Sequence, residues 1–334
     1  MLAGLLTSNV QQLVSKKNNS AYNEALDKLE RAIELDSNNP RPWAIAAEIN
    51  YAKADYTAAI DYITRGLAYS PDSKLLLLSK ARTEAINSIE KSIETLTSLR
   101  NSYPNDTEIT VYLSYMYIVA GRTRDALSLL EDFERRVLSE NDIKRVKLAK
   151  AEALFAHGDK KGSEMLIAEM YEKYPDDPVT LLTDVRINSS ADNWYEIAKI
   201  VTDWYEKHPD DPSIIIALMQ DTVDFRNPSS VECAEKVLQR IVEIDYSNVN
   251  ALNTLAIIYH VTGRSSTALN YYEKVLMLDP ERVAAINNMA WILCEEFGQY
   301  DQALELADRG LSQYSDFADL IDTRGVILYR QGRY

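Results

Sequence analysis

The stretch LNTLAIIYHVTGRSSTALNYYEKVLMLDP, residues 252–280, decides how this chain folds. Apolar residues on either side of Gly263 recur at spacings of three and four, which is the period of an amphipathic helix. Gly263 supplies the turn between the two segments, and the small Ala268 follows soon after it. The stretch therefore predicts two helices joined by a glycine turn, with Ala268 at the point where they cross.

The same pattern returns elsewhere in the chain. YLSYMYIVAGRTRDALSLL (residues 112–130) and NNMAWILCEEFGQYDQALELADRGL (residues 287–311) each read as helix, glycine turn and helix. The motif PDDP occurs at residues 175–178 and 209–212, which places Pro175 and Pro209 34 residues apart. In this motif Asp can cap the free N–H groups of the next helix, and Pro suits its first position. A period of this length indicates stacked helical repeats.

These residues resemble the tetratricopeptide repeat family, a 34-residue helix–turn–helix with a small residue at position 8, Gly near 15, Ala at 20 and Pro at 32. The matching residues are Trp43, Ala47, Ala59 and Pro71; Gly121 and Ala126; Ala151, Leu154, Gly158 and Pro175; and Ala256, Tyr259, Gly263, Ala268 and Pro280. The resemblance covers nearly the whole chain. It implies an all-α, right-handed superhelical solenoid of stacked antiparallel helix hairpins.

We expect one solenoid over residues 1–334, with nine repeats and a C-terminal half repeat. The repeats are 6–39, 40–72, 73–106, 107–143, 144–177, 178–211, 212–248, 249–282 and 283–317, and the half repeat is 318–334. The last segment stops where a second helix should begin, which leaves an apolar face uncovered. We therefore expect a fragment of a longer protein that continues beyond Tyr334.

Three segments depart from the pattern. Residues 73–104 lack the glycine turn and carry Ser92 where Ala is expected, which predicts a longer or looser hairpin. FRNPSS, residues 225–230, adds about one helical turn, and Pro228 predicts a protruding loop there. SENDIK, residues 139–144, adds residues at a repeat boundary that has no Pro.

Composition narrows the classes of function. The 334 residues include 36 basic and 51 acidic side chains, so the net charge is −15, which disfavours nucleic acid and favours a neutral or basic ligand. Apolar runs are too short to span a membrane, and the N-terminus has no signal-peptide pattern. Two cysteines cannot form a disulfide framework. The compartment stays open, with cytoplasmic and periplasmic locations both compatible with the sequence.

No catalytic, cofactor or metal motif is recognisable. HGDKKGS, residues 157–163, is the nearest to a phosphate-binding loop, but it lies at a turn within a repeat and has no strand before it. The three histidines fall in different repeats without a neighbouring ligand at metal-binding spacing. Paired carboxylates such as Asp176 and Asp177 read as helix caps and solvated surface. We therefore predict that the chain is not an enzyme and holds neither cofactor nor metal.

The resemblance implies a concave groove, lined by the first helix of each hairpin, that receives a segment of another protein. Carried over by repeat position, the groove candidates are Tyr112, Tyr115, Glu152, Arg186, Asn250, Asn253, His260, Asn287, Asn288, Trp291, Asp322 and Arg330. Ile118, Leu148 and Phe155 either extend an apolar shelf beside Tyr115 or fill the hairpin core. The asparagines either form a ladder for a peptide backbone, as in the repeat domain of O-linked N-acetylglucosamine transferase, or lie on a solvated face.

Chaperone-binding members of the family clamp a terminal carboxylate with Lys and Asn at positions 5 and 9 of the repeat. Here those positions hold Ala44 and Glu48, Leu77 and Ala81, Val111 and Tyr115, and Leu148 and Glu152, so no clamp is predicted. The main prediction is a scaffold that binds a protein or peptide segment. Two alternatives remain: a substrate-recruiting arm of a larger enzyme such as a transferase, and a part of a bacterial envelope or exopolysaccharide assembly system. Neither the partner's identity nor the oligomeric state follows from the sequence.

Overall fold

The computed structural model describes residues 19–136 and 139–333. Over these two ranges every regular element is an α-helix and no strand occurs, which confirms the predicted all-α class. No helix in the described ranges is long and apolar enough to cross a bilayer. The first nine helices are α1 (Asn19–Leu35), α2 (Pro40–Ala52), α3 (Tyr56–Tyr69), α4 (Lys74–Asn87), α5 (Ile89–Ser102), α6 (Thr107–Val119), α7 (Thr123–Glu134), α8 (Glu140–His157) and α9 (Lys160–Lys173). The next nine are α10 (Pro178–Ser190), α11 (Trp194–Lys207), α12 (Ser213–Thr222), α13 (Pro228–Ile244), α14 (Val249–Val261), α15 (Ser265–Leu278), α16 (Val283–Glu295), α17 (Tyr300–Gln313) and α18 (Ala318–Arg330).

The chain divides into two compact units, residues 1–175 and 176–334. In unit 1, α2 packs on α3, α4 on α5, α6 on α7 and α8 on α9. In unit 2, α10 packs on α11, α12 on α13, α14 on α15 and α16 on α17, while α18 contacts α16 and α17. The predicted repeats of residues 40–317 are therefore helix pairs. The first helix of repeat 6–39 lies outside the described residues, and the single solenoid over residues 1–334 stays a prediction.

The glycine turns form as predicted within these pairs. Gly121, Gly158 and Gly263 have φ values of 72°, 97° and 76°, in the left-handed region that glycine enters without steric cost. Two pairs make the same turn without glycine, because Ala54 and Asp192 adopt φ values of 58° and 53°. These two turns therefore keep the left-handed geometry of the glycine turns, although the sequence has no glycine there.

The helix starts follow the capping argument at one PDDP motif and depart from it at the other. Asp177 accepts a hydrogen bond from the N–H of Thr180 at 3.0 Å, and Pro178 is the first residue of α10. At the second motif Pro212 itself stands at the cap of α12 and provides no side-chain hydrogen bond. Asp211 accepts instead from the N–H of Ser213 at 3.0 Å.

Of the three irregular segments, two differ from the prediction, and the third, for which no structure was predicted, is helical. α4 and α5 are joined by Ser88 alone, which ends α4 and accepts from the N–H of Lys91 in α5, so this hairpin is tight and not loose. The loop expected over residues 225–230 occupies residues 223–227, because Pro228 starts α13 and the following serines are helical. The residues added at 139–144 extend α8, which begins at Glu140 behind a Ser139 cap.

Small residues let the two helices of a pair approach closely. Ala59, Ala126, Ala268 and Ala303, each early in a second helix, have no exposed surface. Bulky side chains fill the space between neighbouring pairs: Trp43 and Tyr272 are both almost fully buried. The predicted crossing point at Ala268 is therefore part of the core.

Side chains at the end of second helices reach back to the turn before their own hairpin. Ser70 donates to the carbonyl of Asn38 at 2.8 Å, and Arg136 donates to the carbonyl of Pro104 at 2.6 Å. The same contact joins Tyr174 to Glu140 at 3.0 Å in unit 1 and His208 to Asp176 at 2.9 Å in unit 2. These hydrogen bonds tie the end of each second helix to the start of its own hairpin, so they close the helix pair.

Candidate partner-binding surface

We call the outward-facing side chains of the first helices the first-helix face of each unit; that of unit 1 comprises α2, α4, α6 and α8, and that of unit 2 comprises α10, α12, α14, α16 and α18. In unit 1 its most distinctive feature is a tyrosine–arginine cluster formed by Tyr51 of α2, Arg82 of α4, and Tyr112 and Tyr115 of α6. The guanidinium carbon of Arg82 lies 4.5 Å from the centre of the Tyr51 ring. This contact joins α2 to α4, and the Tyr112 phenol of α6 lies within electrostatic reach of both side chains.

The two tyrosines of α6 differ in exposure. Tyr112 is half-buried against the apolar cluster that contains Ala81 and Leu113, whereas Tyr115 is 43% exposed. Burial raises the pKa of Tyr112, the Arg82 charge lowers it, and the phenols of Tyr51 and Tyr115 raise it further. Arg82, Tyr51 and Tyr115 thus each lie within electrostatic reach of the Tyr112 phenol.

The predicted apolar shelf beside Tyr115 is mostly core. Leu148 is 3% exposed, and Ile118 packs against the buried cluster around Phe133. Phe155 is partly exposed and has the ammonium of Lys160 5.8 Å from its ring centre. Of the other two predicted residues in the middle of the chain, Glu152 is half-buried in α8 and Arg186 is exposed in α10, and both make further interactions. Tyr115 therefore remains the accessible aromatic side chain among the candidates of unit 1.

The predicted asparagine ladder of unit 2 is interrupted at Asn253. Asn250 is exposed and its Oδ1 accepts from Nη2 of Arg282 at 2.9 Å. Asn253 is only 8% exposed, and no described residue donates to its buried Oδ1. Sequence position placed both on the groove side, but close packing of α14 against its neighbours removes Asn253 from the surface.

Asn287, Asn288 and Trp291 lie within one turn of α16 and form the amide–tryptophan site. Asn287 Oδ1 accepts from Thr323 at 2.7 Å, and Asn288 Nδ2 donates to the Tyr272 hydroxyl at 3.0 Å. Because an amide has both donors and an acceptor, Asn287 keeps its N–H groups and Asn288 keeps its carbonyl oxygen. Trp291 is 37% exposed, and no acceptor for its indole N–H occurs in the described ranges. The site therefore presents donors, an acceptor and an aromatic ring.

Two of the predicted polar residues of unit 2, Arg330 and His260, lie against glutamates of α16 and the residue after it. Arg330 binds both carboxylate oxygens of Glu295, at 2.8 and 2.6 Å, which lowers the pKa of that carboxyl. His260 Nε2 lies 3.2 Å from Glu296. Asp322 is exposed on α18. This part of the face therefore offers little net positive charge to an anionic ligand.

The segments considered for catalysis have structural roles. Gly158 ends α8 in the left-handed conformation, and Asp159 caps α9 by accepting from the N–H of Gly162 at 2.9 Å, which is a helix turn and no phosphate cradle. Burial raises the pKa of Cys233 to about 11, so this thiol stays protonated and unreactive at neutral pH. Within the described ranges no group of three metal-binding side chains occurs.

Tyr51 and Arg82 were missed by the sequence prediction. Tyr51 occupies position 12 of its repeat, which is one of the groove positions, so the repeat pattern could have identified it as a candidate. Arg82 occupies position 10, which is not a groove position. Residue spacing along the sequence cannot predict its contact with a ring on another helix.

The helix pairs define the class of this chain as a helical-hairpin repeat protein, and comparison with known proteins identifies the repeat. Residues 262–322 match the model of the tetratricopeptide repeat family, so this segment belongs to that family and the predicted resemblance is confirmed. "Uncharacterized protein ycf37" of Pyropia yezoensis is 40% identical over 63 residues, which is 19% of this chain and 35% of that protein. The match thus spans about a third of that relative's length.

Solved structures show likeness at low sequence identity. The human IFIT1 dimer with m7Gppp-AAAA is 15% identical, with 83% of this chain and 72% of that chain covered and a TM-score of 0.42. The Naa15/Naa10 complex bound to HypK-THB is 14% identical, with 99% of this chain and 61% of that chain covered and a TM-score of 0.30.

Proposed function

We propose that this chain is a non-catalytic scaffold that binds an extended segment of a partner protein on the first-helix face. The observation that carries the proposal is the amide–tryptophan site of α16. An extended peptide presents an N–H and a carbonyl at each residue, and Asn288 Oδ1 and Asn287 Nδ2 can pair with them whatever the peptide's side chains are. The exposed Trp291 ring adds apolar contact area for a side chain of the segment.

The fixed positions of these groups support the same proposal. The Asn287 and Asn288 side chains are each held by one hydrogen bond, to Thr323 of α18 and Tyr272 of α15. Their remaining polar atoms are therefore preorganised, and less side-chain entropy is lost when a peptide binds. Side chains that only face solvent do not need hydrogen bonds to neighbouring helices to hold them in place.

Selection from a displayed library of random 12-residue peptides on the purified chain tests the proposal. We expect enriched peptides whose affinity falls about tenfold in Trp291→Ala or in Tyr115→Ala, because each variant removes an aromatic contact. Asparagine variants are less suitable, since Asn287→Ala and Asn288→Ala also break hydrogen bonds between helices.

Tyr246→Ala is the matched control. Tyr246 is 82% exposed and lies in the turn between α13 and α14, outside the first-helix face, so its removal should leave affinity unchanged. A library without enriched peptides contradicts the proposal. So does enrichment whose affinity is the same in wild type, Trp291→Ala and Tyr115→Ala.

A further inference from the structure

Arg82, on the first-helix face of unit 1, has no ion-pair partner among the described residues, although the chain carries 51 acidic side chains. Its helix, α4, holds three basic residues. Lys74 lies 2.5 Å from Asp106 and 3.1 Å from Glu108, and Lys80 lies 3.6 Å from Glu84. Arg82 is exposed and forms an ion pair with no residue that the structure describes. Among the three basic residues of α4, Arg82 is therefore the one that no described carboxylate neutralises.

Arg82 is positioned by the face of a ring. Its guanidinium carbon lies 4.5 Å from the centre of the Tyr51 ring, which is a cation–π contact. No described residue accepts a hydrogen bond from the Arg82 side chain, so the five N–H donors of its guanidinium are available to a ligand. A planar carboxylate matches this edge with two parallel hydrogen bonds.

Tyr115 lies about one helical turn after Tyr112 on α6. Its ring is 43% exposed and carries a phenol donor, and the neighbouring Tyr112 is held by the core. The pKa of Tyr112, which burial raises, also responds to Arg82, Tyr51 and Tyr115.

We propose that the tyrosine–arginine cluster binds the carboxylate of an Asp or Glu side chain in the partner segment, with an adjacent apolar residue of that segment on the Tyr115 ring. Unit 1 therefore takes an acidic stretch of its partner, contrary to the preference for a neutral or basic ligand that the net charge of the whole chain predicts. This proposal rests on the peptide-binding function proposed for the first-helix face. It adds the chemistry of the bound segment.

The test repeats the selection of 12-residue peptides with N-acetylated and C-amidated ends, so that only side chains carry charge. We expect wild-type protein to enrich peptides with Asp or Glu next to an apolar residue, and Arg82→Gln to lose that enrichment. Arg124→Gln is the matched control, because Arg124 is also an exposed arginine of unit 1 but lies on the second helix α7. It removes the same charge and should keep the acidic preference.

A double-mutant cycle on one enriched peptide assigns the contact. Replacing its Glu by Gln, or Arg82 by Gln, should each weaken binding about tenfold, and both together should weaken it no further. Additive losses overturn the proposal. So does stronger Arg82-dependent binding of a 12-nucleotide RNA, which would make the ligand a nucleic acid.

The outcomes separate this proposal from the function on which it rests. Peptides enriched through Trp291 without a preference for acidic residues overturn the carboxylate site and keep the scaffold. A library without any enriched peptide overturns the scaffold, and the carboxylate site with it. Circular dichroism of each variant confirms that the helices are intact.

Discussion

The two units share one fold and differ sharply in charge. Residues 1–175 hold 23 basic and 25 acidic side chains, a net charge of −2, whereas residues 176–334 hold 13 basic and 26 acidic, a net charge of −13. Packing fixes the buried positions of a helix pair, but it leaves the exposed positions free to vary. The net charge of the whole chain therefore describes unit 2 and says little about unit 1.

The first-helix faces show the same contrast at the level of single residues. In unit 2, Arg330 is bound by Glu295 and Arg282 by Asn250 and Asp279. In unit 1, Arg82 faces solvent over a tyrosine ring. Each unit can thus select a different stretch of a partner, because polar amides suit a peptide backbone and a free guanidinium suits a carboxylate.

The largest difference that we expect between the units is in the stability lost when a glycine of a second helix is replaced by alanine. A Cβ at Gly66 would lie 2.8 Å from Cγ and 2.9 Å from Cβ of Trp43, and 2.9 Å from Leu76. Trp43 cannot move aside, because its indole N–H donates to the carbonyl of Ser37 at 3.0 Å and its ring stacks on Tyr69. We expect Gly66→Ala to lower the free energy of unfolding by about 1–3 kcal/mol, despite the better helix propensity of alanine.

Gly310→Ala in unit 2 is the comparison. The nearest atom to its Cβ is Cδ2 of Leu320 at 2.5 Å, the end of a flexible side chain, followed by Ile286 at 3.1 Å. Leu320 can rotate, so the gain in helix propensity of about 1 kcal/mol should offset most of the cost. Urea denaturation of both variants measures the difference; equal losses would show that the Trp43 side chain yields as easily as Leu320.

A smaller effect is expected where unit 1 has serine and unit 2 has alanine at the same repeat position. Ser163 is buried, and no described residue pairs with its hydroxyl, whereas Ala268 is fully buried without a polar group. Ser163→Ala should stabilise the protein by about 1 kcal/mol, because it removes an unsatisfied buried hydroxyl. Ala268→Ser should destabilise it by a similar amount. Thermal unfolding of the two variants should show unfolding temperatures that shift in opposite directions. A shift of both temperatures in the same direction would contradict the explanation by an unsatisfied buried hydroxyl.

Repeat spacing predicted the helix pairs because each pair buries a periodic apolar stripe around small residues such as Ala268. The turns at Ala54 and Asp192 escaped the glycine signal, since the surrounding helices impose the left-handed conformation on residues that rarely adopt it. The extension of α8 was also missed, because an added segment can lengthen a helix as easily as a loop. The local sequence pattern thus predicts the helix pairs better than the turns and loops that connect the helices.

The candidate site was less predictable because exposure depends on neighbours in space. Position in the repeat placed Asn253 on the surface, yet packing buries it. Position also gave no signal for Arg82, whose role comes from the Tyr51 ring on the adjacent helix. Sequence periodicity describes one helix at a time, whereas a binding surface is built across several.

The smallest expected effect concerns the caps of α6 and α14, which are Asp106 in unit 1 and Asn248 in unit 2. Burial alone would raise the pKa of Asp106, but hydrogen bonds from Lys74 and from the N–H of Ile109 outweigh it and hold the pKa below its usual value. A lowered folded-state pKa contributes stability above the unfolded value of about 4, and this contribution is lost as the pH falls through the folded value. Asp106→Asn should therefore lose about 0.5–1 kcal/mol at pH 7 and make stability less sensitive to acid.

Asn248→Asp should respond to pH in the opposite sense. The Asn248 amide accepts from the N–H of Ala251 at 3.0 Å and donates to Asp245 at 3.4 Å. A carboxylate in its place faces Asp245 with like charge, which destabilises the folded state at pH 7 and is relieved as the pH falls toward 4. Denaturant midpoints at pH 7 and pH 4 measure both variants. Parallel pH profiles would mean that the Lys74 and Asp245 contacts do not govern these caps, and the two units would then titrate alike despite their difference in charge.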